Sequence, residues 1–317
     1  MQRRALLFAT PAVAAPRLAR AQAFPSQPVR FIVPFTPGGS NDVLARLIAE
    51  RIPARFGQPV VVENRPGATG NIGAEATARG APDGHTWLLA PNQIFSANPW
   101  LLRASFDPLR DLAIALRIAD VQVLLVANPA LGVRSARDLV AKAAERPGAL
   151  AYPSSGIGSF QHLGMAGLVG TTMEHVPYRG AAQVLPDLLQ GRTVAFVGAL
   201  NSLLPHVRAG ALVPLASMGR RRIAELPDVP TIVEAGFPDA VTEIWASVTL
   251  AGATPAPIVA RVAEVVEETL TGPEPRARLA SQGIEISFIR TEEAMRLARE
   301  EHAQMGALIQ RLGIKPE

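Results

Sequence analysis

Two segments rich in small residues constrain this chain more than any other feature: residues 34–42, PFTPGGSND, and residues 152–162, YPSSGIGSFQH. Each leaves a short apolar run and opens a stretch with helical spacing, so each reads as a strand–loop–helix junction. A helix N-terminus presents unpaired N–H groups and a partial positive charge. Glycine lets that backbone come close to whatever sits there. Two such junctions read as two halves of one anion site, able to hold a carboxylate or phosphate without lysine or arginine.

The rest of the pattern supplies the frame. Residues 29–33 are a β-branched run stopped by Pro34, as in a buried strand. Asn41 or Asp42 is placed to cap the next helix, which carries Val43, Leu44, Leu47, Ile48 and Ile52 on one face and stops at Gly57. Residues 59–63 read as a strand, 71–79 as a helix and 86–90 as a strand. A strand at 121–126 precedes Ser135 and Asp138, which have capping-box spacing. Residues 150–152 then form the strand that enters the second glycine loop, followed by a helix at 159–169, a strand end at 175–178, a helix at 181–190 and a strand at 194–197. The tail, 257–312, is mostly helical, interrupted at Pro273 and by a strand at 284–288. Strands alternating with helices predict an α/β fold of mainly parallel sheets flanked by helices. A chain of 317 residues is long for one core and suggests two lobes.

Composition and motifs narrow the function. With 48% hydrophobic and 18% charged residues, the chain has the material for a core and is not a disordered segment. It has no cysteine, which excludes disulfides, thiolate metal sites and a cysteine nucleophile. The net charge of +4 is spread out, and the one dense run, Arg220, Arg221 and Arg222, has no interleaved aromatic residue to stack a base; nucleic acid is not expected as a partner. The five histidines show no metal-binding spacing, so no metal is expected. Ser159 and His162 can be drawn as nucleophile and base, but neither glycine loop forms a G-x-S-x-G elbow. Gly156 and Gly158 begin a dinucleotide fingerprint that Gln161 breaks, and no cofactor is expected.

Arg3 and Arg4, the apolar run at 5–15 and Ala21-Gln22-Ala23 together form a signal peptide over residues 1–23, of the general or the twin-arginine export type. The apolar run is well short of the roughly 20 residues that span a bilayer, and no later segment qualifies. The protein is expected in the periplasm, with no transmembrane helix of its own.

Several ordered motifs carry a resemblance. Residues 28–35 with Pro37, Gly38 and Gly39, then 57–67, 81–84, 175–181, 204–210, 226–231 and 254–257, closely resemble Bug-type solute-binding receptors of tripartite tricarboxylate transporters. The resemblance covers essentially the whole chain after the leader. It implies a two-lobed periplasmic-binding-protein fold, type II-like, with a discontinuous first lobe (24–121 and 243–317), a second lobe (122–242) and crossings near 119–122 and 240–245. It also implies a small carboxylate in the interlobe cleft and delivery to membrane permease subunits. Mapped onto this chain, Gly38, Gly39 and Ser40 are the expected ligand contacts of one lobe, and Ser155, Gly156, Ser159 and His162 those of the other. Asn92 and Gln93 face the cleft after the strand at 86–90, and Tyr178, Arg179 and Gly180 stand near its mouth. Asp42 is expected to cap its helix rather than touch ligand.

Gly198 and Ala199 stand where many relatives of that type carry aspartate and asparagine, and Phe95 and Phe160 bring rings to loops that are often small and polar. The expected ligand therefore has one carboxylate and an apolar or aromatic body. Trp245, on the second crossing, is expected to pack in the core. Valine at Gly39 or Gly156 is expected to weaken binding and spare the fold. A ligand sensor that docks a membrane signalling partner and, further off, an exported hydrolase are the alternative functions. The exported protein is predicted to begin at Phe24; intact mass and N-terminal sequencing of the periplasmic fraction check this, and a chain retaining the leader refutes it.

Overall fold

The computed structural model describes residues 24–52, 56–178 and 181–316; the leader at 1–23 and the pair Arg179 and Gly180 lie outside the described residues. In chain order the elements are β1 (Val29–Val33), α1 (Ser40–Arg51), β2 (Val60–Asn64), α2 (Asn71–Ala78), β3 (Thr86–Pro91), α3 (Asn98–Leu101), α4 (Pro108–Asp111), β4 (Leu112–Val121) and β5 (Val123–Ala127). There follow α5 (Ala136–Glu145), β6 (Ala151–Ser154), α6 (Phe160–Val169), β7 (Glu174–Pro177), α7 (Ala181–Leu189), β8 (Ala195–Ala199), α8 (Leu200–Arg208) and β9 (Val213–Ser217). The chain ends with β10 (Ile244–Ala251), α9 (Ala256–Leu270), α10 (Pro273–Ala280), β11 (Ile284–Arg290) and α11 (Thr291–Leu312).

A six-stranded sheet in the order β11-β4-β10-β3-β1-β2 forms the first lobe. One face is covered by α1 and α9, whose Leu44, Leu47, Ile48, Val262 and Val266 pack on Phe31 and Trp87. The other face meets α2 and α11 through Ala74, Ala294, Met295 and Ala298. The second lobe holds the sheet β8-β5-β9 and the pair β6-β7, joined by the Val194 N–H donating to Ala151 O at 2.9 Å.

The sheets are mixed where mainly parallel ones were expected. β1 pairs parallel with β2 and β3, and β6 with β7. By contrast β10 runs antiparallel to both β3 and β4, β11 to β4, and β5 to both β8 and β9. The reason is the path of the chain. It leaves the first sheet at the end of β4, enters the second as β5 with only Gln122 between, and returns as β10 beside β4. Two strands that cross one boundary in opposite directions pair antiparallel. Residue alternation cannot reveal this, because strands buried on both faces read alike in either direction.

Local signals held where chain chemistry dictates them. Ser135 is the N-cap of α5, its Oγ accepting from Asp138 N–H at 3.1 Å, while Asp138 Oδ2 accepts from Arg134 N–H at 3.0 Å. Arg221 and Arg222 of the basic run pair with Glu285 and Glu234, as a solvated face does. Trp245 packs in the core, 4% exposed and stacked on Phe95 at 6.0 Å.

The aromatic anchor of the first lobe is Trp87, fully buried, edge-on to Phe31 at 5.6 Å and donating from Nε1 to Gly84 O at 2.8 Å. Trp87→Ala is predicted to cost about 3–5 kcal/mol, read as a lower urea midpoint at an unchanged denaturant slope; a loss under about 1 kcal/mol would refute that role.

Candidate functional site

The two glycine junctions do meet. Between the lobes lies a cavity of ≈ 310 Å³ bounded by the β1–α1 loop on one side and by the β6–α6 loop, α7 and the end of β8 on the other. On the first lobe its wall contains Gly38, Gly39, Ser40 and Asn41. Gly39 is the N-cap of α1 and has no side chain with which to cap it, so the first-turn N–H groups keep their capacity to bind an anion. Nothing lies within 4 Å of a Cβ built on Gly38 or Gly39, so both glycines face open space. Gly38 also has φ +92°, a conformation that favours glycine.

Asp42, in the first turn of α1, also lines the cavity, but its carboxylate is engaged by the loop and its neighbours. It is 5% exposed; its Oδ2 accepts from Gly38 N–H at 3.1 Å and from Arg46 Nε at 2.9 Å, and its Oδ1 accepts from Asn64 Nδ2 at 2.9 Å. Although burial opposes it, these hydrogen bonds hold the carboxyl below the usual aspartate range. The expected cap by Asn41 or Asp42 is not formed: Gly39 takes the N-cap position, and Asp42, one turn in, braces the loop by accepting from Gly38 N–H.

The second lobe contributes Ser155, Phe160 and Gln161. Ser155 Oγ donates to Gln161 Oε1 at 2.9 Å, which turns the Gln161 amide and leaves its N–H₂ group as a donor. Phe160, Leu185, Ala199, Val121, Ile244 and Pro91 make the remaining wall apolar. Gln93 also lines the cavity and donates from Nε2 to Thr69 O at 3.0 Å. Among the described lining residues there is no arginine, lysine or histidine.

Direct contacts join the lobes around the cavity. Ser40 Oγ donates to Asn201 Oδ1 at 2.9 Å, linking the starts of α1 and α8, and Thr69 Oγ1 donates to Ile157 O at 3.2 Å.

Several expected contacts sit elsewhere. Asn92 points away, donating from Nδ2 to Glu243 O at 3.1 Å and to Glu301 Oε1 at 2.5 Å. Glu301 in turn accepts from Trp245 Nε1 at 2.7 Å, and burial raises its pKa. Gly156 packs against the other lobe, where an added Cβ would lie 2.8 Å from Thr69 Oγ1, and its φ is +121°. Gly198 faces inward, with Phe196 2.4 Å from a built Cβ, so its neighbour Ala199 is the residue at the cavity. Tyr178 donates from its hydroxyl to Asp187 Oδ2 at 2.6 Å and packs on the second-lobe core. Phe95 is fully buried in the first-lobe core, so only Phe160 of the two flagged rings lines the cavity.

Ser159 and His162 also lie beneath the loop rather than in it. Ser159 caps α6, its Oγ accepting from the His162 backbone N–H at 3.3 Å. His162 Nδ1 accepts from Gly158 N–H at 3.2 Å. Each side chain is therefore spent on the backbone, and the pair does not form a nucleophile and base. The second helix N-terminus is consequently self-capped, unlike the first. Thr36, Asn41, Gln161 and Ser202 are polar lining residues that were not among the contacts expected from sequence. Gln161 was visible between Ser159 and His162 in the first turn of α6, but only the fold shows which of the three faces the cavity.

A family model described as tripartite tricarboxylate transporter family receptor matches residues 44–314. The chain belongs to this receptor family. It is 36% identical over 284 residues to Protein BugT of Bordetella pertussis, covering 88% of this chain and 86% of that one. Among solved structures, R. palustris Rpa4515 with adipate aligns with a TM-score of 0.87 at 34% identity, covering 93% of this receptor and 100% of its own chain. MatC from Rhodopseudomonas palustris with bound malate aligns at 0.83 with 27% identity, covering 90% and 100%. These likenesses agree with the α/β, two-lobed fold and with a solute-binding role for this receptor.

The two glycines expected to behave alike should now separate. Gly39→Val places its side chain in open cavity at φ −81° and is predicted to keep the wild-type melting temperature while lowering carboxylate affinity at least about tenfold. Gly156→Val must strain the backbone and strike Thr69, and is predicted to destabilise the fold itself by about 1–3 kcal/mol. Thermal unfolding and calorimetry on both variants check this; equal behaviour would refute the assignment.

Proposed function

We propose that this receptor works outside the cytoplasm, captures a small organic carboxylate by closing residues 24–121 and 243–317 against 122–242, and hands it to a tripartite tricarboxylate-type permease. The observation that carries the reading is the uncapped start of α1 opening on a cavity with no cationic side chain among its described lining residues. Backbone N–H groups to a carboxylate are charge-assisted hydrogen bonds, roughly twice as strong as neutral ones. The helix end adds about 0.3–1 kcal/mol, up to ~2 where partly buried. The Gln161 amide can donate to the same carboxylate from the facing lobe, and Ser155 Oγ, whose proton goes to Gln161, can accept from a bridging water. A ligand that touches both lobes stabilises the closed arrangement in which Ser40 and Asn201 meet, and the closed face is what a permease can recognise. Among the described residues no helix is long and apolar enough to cross a membrane, which fits a partner supplying the channel.

The ligand body is set by the other end of the cavity. Phe160, Leu185, Val121 and Ile244 offer apolar surface, and a second charged group there would be desolvated without a cationic partner. The reading is therefore a monocarboxylate with an apolar or aromatic body. Solved relatives were seen with adipate and with malate, so the dicarboxylates are the natural competitors in a test.

The test is thermal unfolding of protein that has been denatured and refolded to strip carried-over ligand, with benzoate, phenylacetate, hexanoate, adipate, malate and aspartate. A ligand bound only by the native state raises the midpoint with concentration. Shifts are predicted for the monocarboxylates and not for malate or aspartate. Shifts confined to the dicarboxylates would overturn the apolar-body reading, and no shift with any acid would overturn the carboxylate reading as a whole.

A further inference from the structure

Beneath the second cavity loop lies a stack of three rings that the reading above does not use. His162 of α6 stacks on His175 of β7 with centroids 4.1 Å apart and planes 14° apart, and Tyr152 of β6 lies against His175 at 5.2 Å and His162 at 6.4 Å. Both imidazoles bond to the loop. His162 Nδ1 accepts from Gly158 N–H at 3.2 Å. His175 Nε2 lies 2.5 Å from Ser154 Oγ; that hydroxyl accepts from Gly156 N–H and donates to Gly156 O, each at 3.0 Å, so the imidazole donates to it from Nε2–H. Ser154, Gly156 and Gly158 thus hang from the stack, and they flank Ser155, whose side chain reaches the cavity.

The bond pattern fixes a protonation state. An imidazole nitrogen that accepts a hydrogen bond carries no proton, so neutral His162 holds its proton on Nε2. Adding a proton would put Nδ1–H against Gly158 N–H, donor against donor. It would also put a cation in the first turn of α6, at the positive end of the helix, and 4.1 Å from a second imidazole. The titratable groups facing the pair are each other and the buried Tyr152 phenol; among the described residues no carboxylate forms an ion pair with either ring, so nothing offsets that charge. Burial accordingly pushes both histidines down to about 4, with His175 a further cause for His162.

The same fold contains the ordinary version of this device. At the start of α5, Ser135 caps Asp138 N–H and the Asp138 carboxylate reaches back to Arg134 N–H. At the start of α6, Ser159 caps His162 N–H and His162 reaches back to Gly158 N–H. At α6 an imidazole holds the cap position that a carboxylate holds at α5, where a fixed negative charge would stand beside an anion site. It accepts the same hydrogen bond without repelling the ligand.

We propose that His162 and His175 are positioning residues, a neutral stack that holds the 154–158 loop in its carboxylate-binding shape and in which His162 lets go of Gly158 when protonated. The proposal rests on the carboxylate-site reading, and it adds a pH limit to that site. For the stack itself, the unfolded chain titrates near the free histidine value of about 6.5 and the folded one near 4, so between them the unfolded state binds more protons. The stability contributed by the neutral pair is full above about pH 6.5 and is lost as the pH falls towards about 4.

The experiment uses the full mature chain, with benzoate and adipate as probes, by calorimetry from about pH 7 to about pH 3.5, through the folded histidine range, together with imidazole and backbone-amide NMR. His162→Phe keeps a flat ring but removes the acceptor, and is expected to lower affinity about tenfold at neutral pH; His162→Asn, whose Oδ1 stands near the Nδ1 position, is expected to recover most of that loss. The wild type should lose affinity on acidification more steeply than His162→Asn, a comparison that cancels the titration of the acid itself. NMR should show the Nε2–H tautomer of His162 and a Gly158 amide shift that follows its protonation. Parallel pH profiles, a wild-type affinity that rises on acidification, or an Nδ1–H tautomer would each overturn the proposal. If neither acid binds, the carboxylate reading fails, while the tautomer and the Gly158 amide still decide whether the stack holds the loop.

Discussion

Everything at the cavity depends on one omission: Gly39 supplies no side chain to cap α1. A helix of twelve residues ends in N–H groups that need acceptors, and here they open on the cleft instead of a serine or aspartate side chain. The loop must then be held by something other than its own cap. Asp42 does this at the cavity wall, with Arg46 and Asn64 absorbing its charge, so the acid most able to repel an anion is turned into a brace.

The opposing loop solves the same problem differently. Its helix is capped by Ser159, and its contribution to the cavity comes from Ser155 and Gln161. Neutral imidazoles buttress it from below. Around both loops the fold uses thin connections: Gln122 alone separates β4 from β5, and its N–H donates to Gly283 O at 2.8 Å, tying the crossing to the strand that follows.

The elements themselves were legible because their signals are local. The β-branched run before Pro34 and the Ser135 and Asp138 cap each depend on neighbours a few residues away, and each appears in the structure. Facing was less legible. Asn92 and Gln93 are adjacent, yet the first is drawn outward by Glu301 and only the second lines the cavity. Gly198 and Ala199 exchange roles for the same reason, since alternate strand residues point to opposite faces and one register decides both. Phe95 read as a cleft ring until Trp245, 150 residues further along the chain, was seen stacked on it.

By itself the sequence determined the receptor type, many of the strands and helices, and the two glycine loops, because these follow from local propensity and from ordered motifs. Only the tertiary structure decided that the sheets are mixed, that one helix start is open and the other closed by its own serine and histidine, and which member of each neighbouring pair faces the cavity. Those outcomes are set by residues that meet across 100 positions or more, such as Ser40 with Asn201, and a pattern read along the chain carries no record of such meetings.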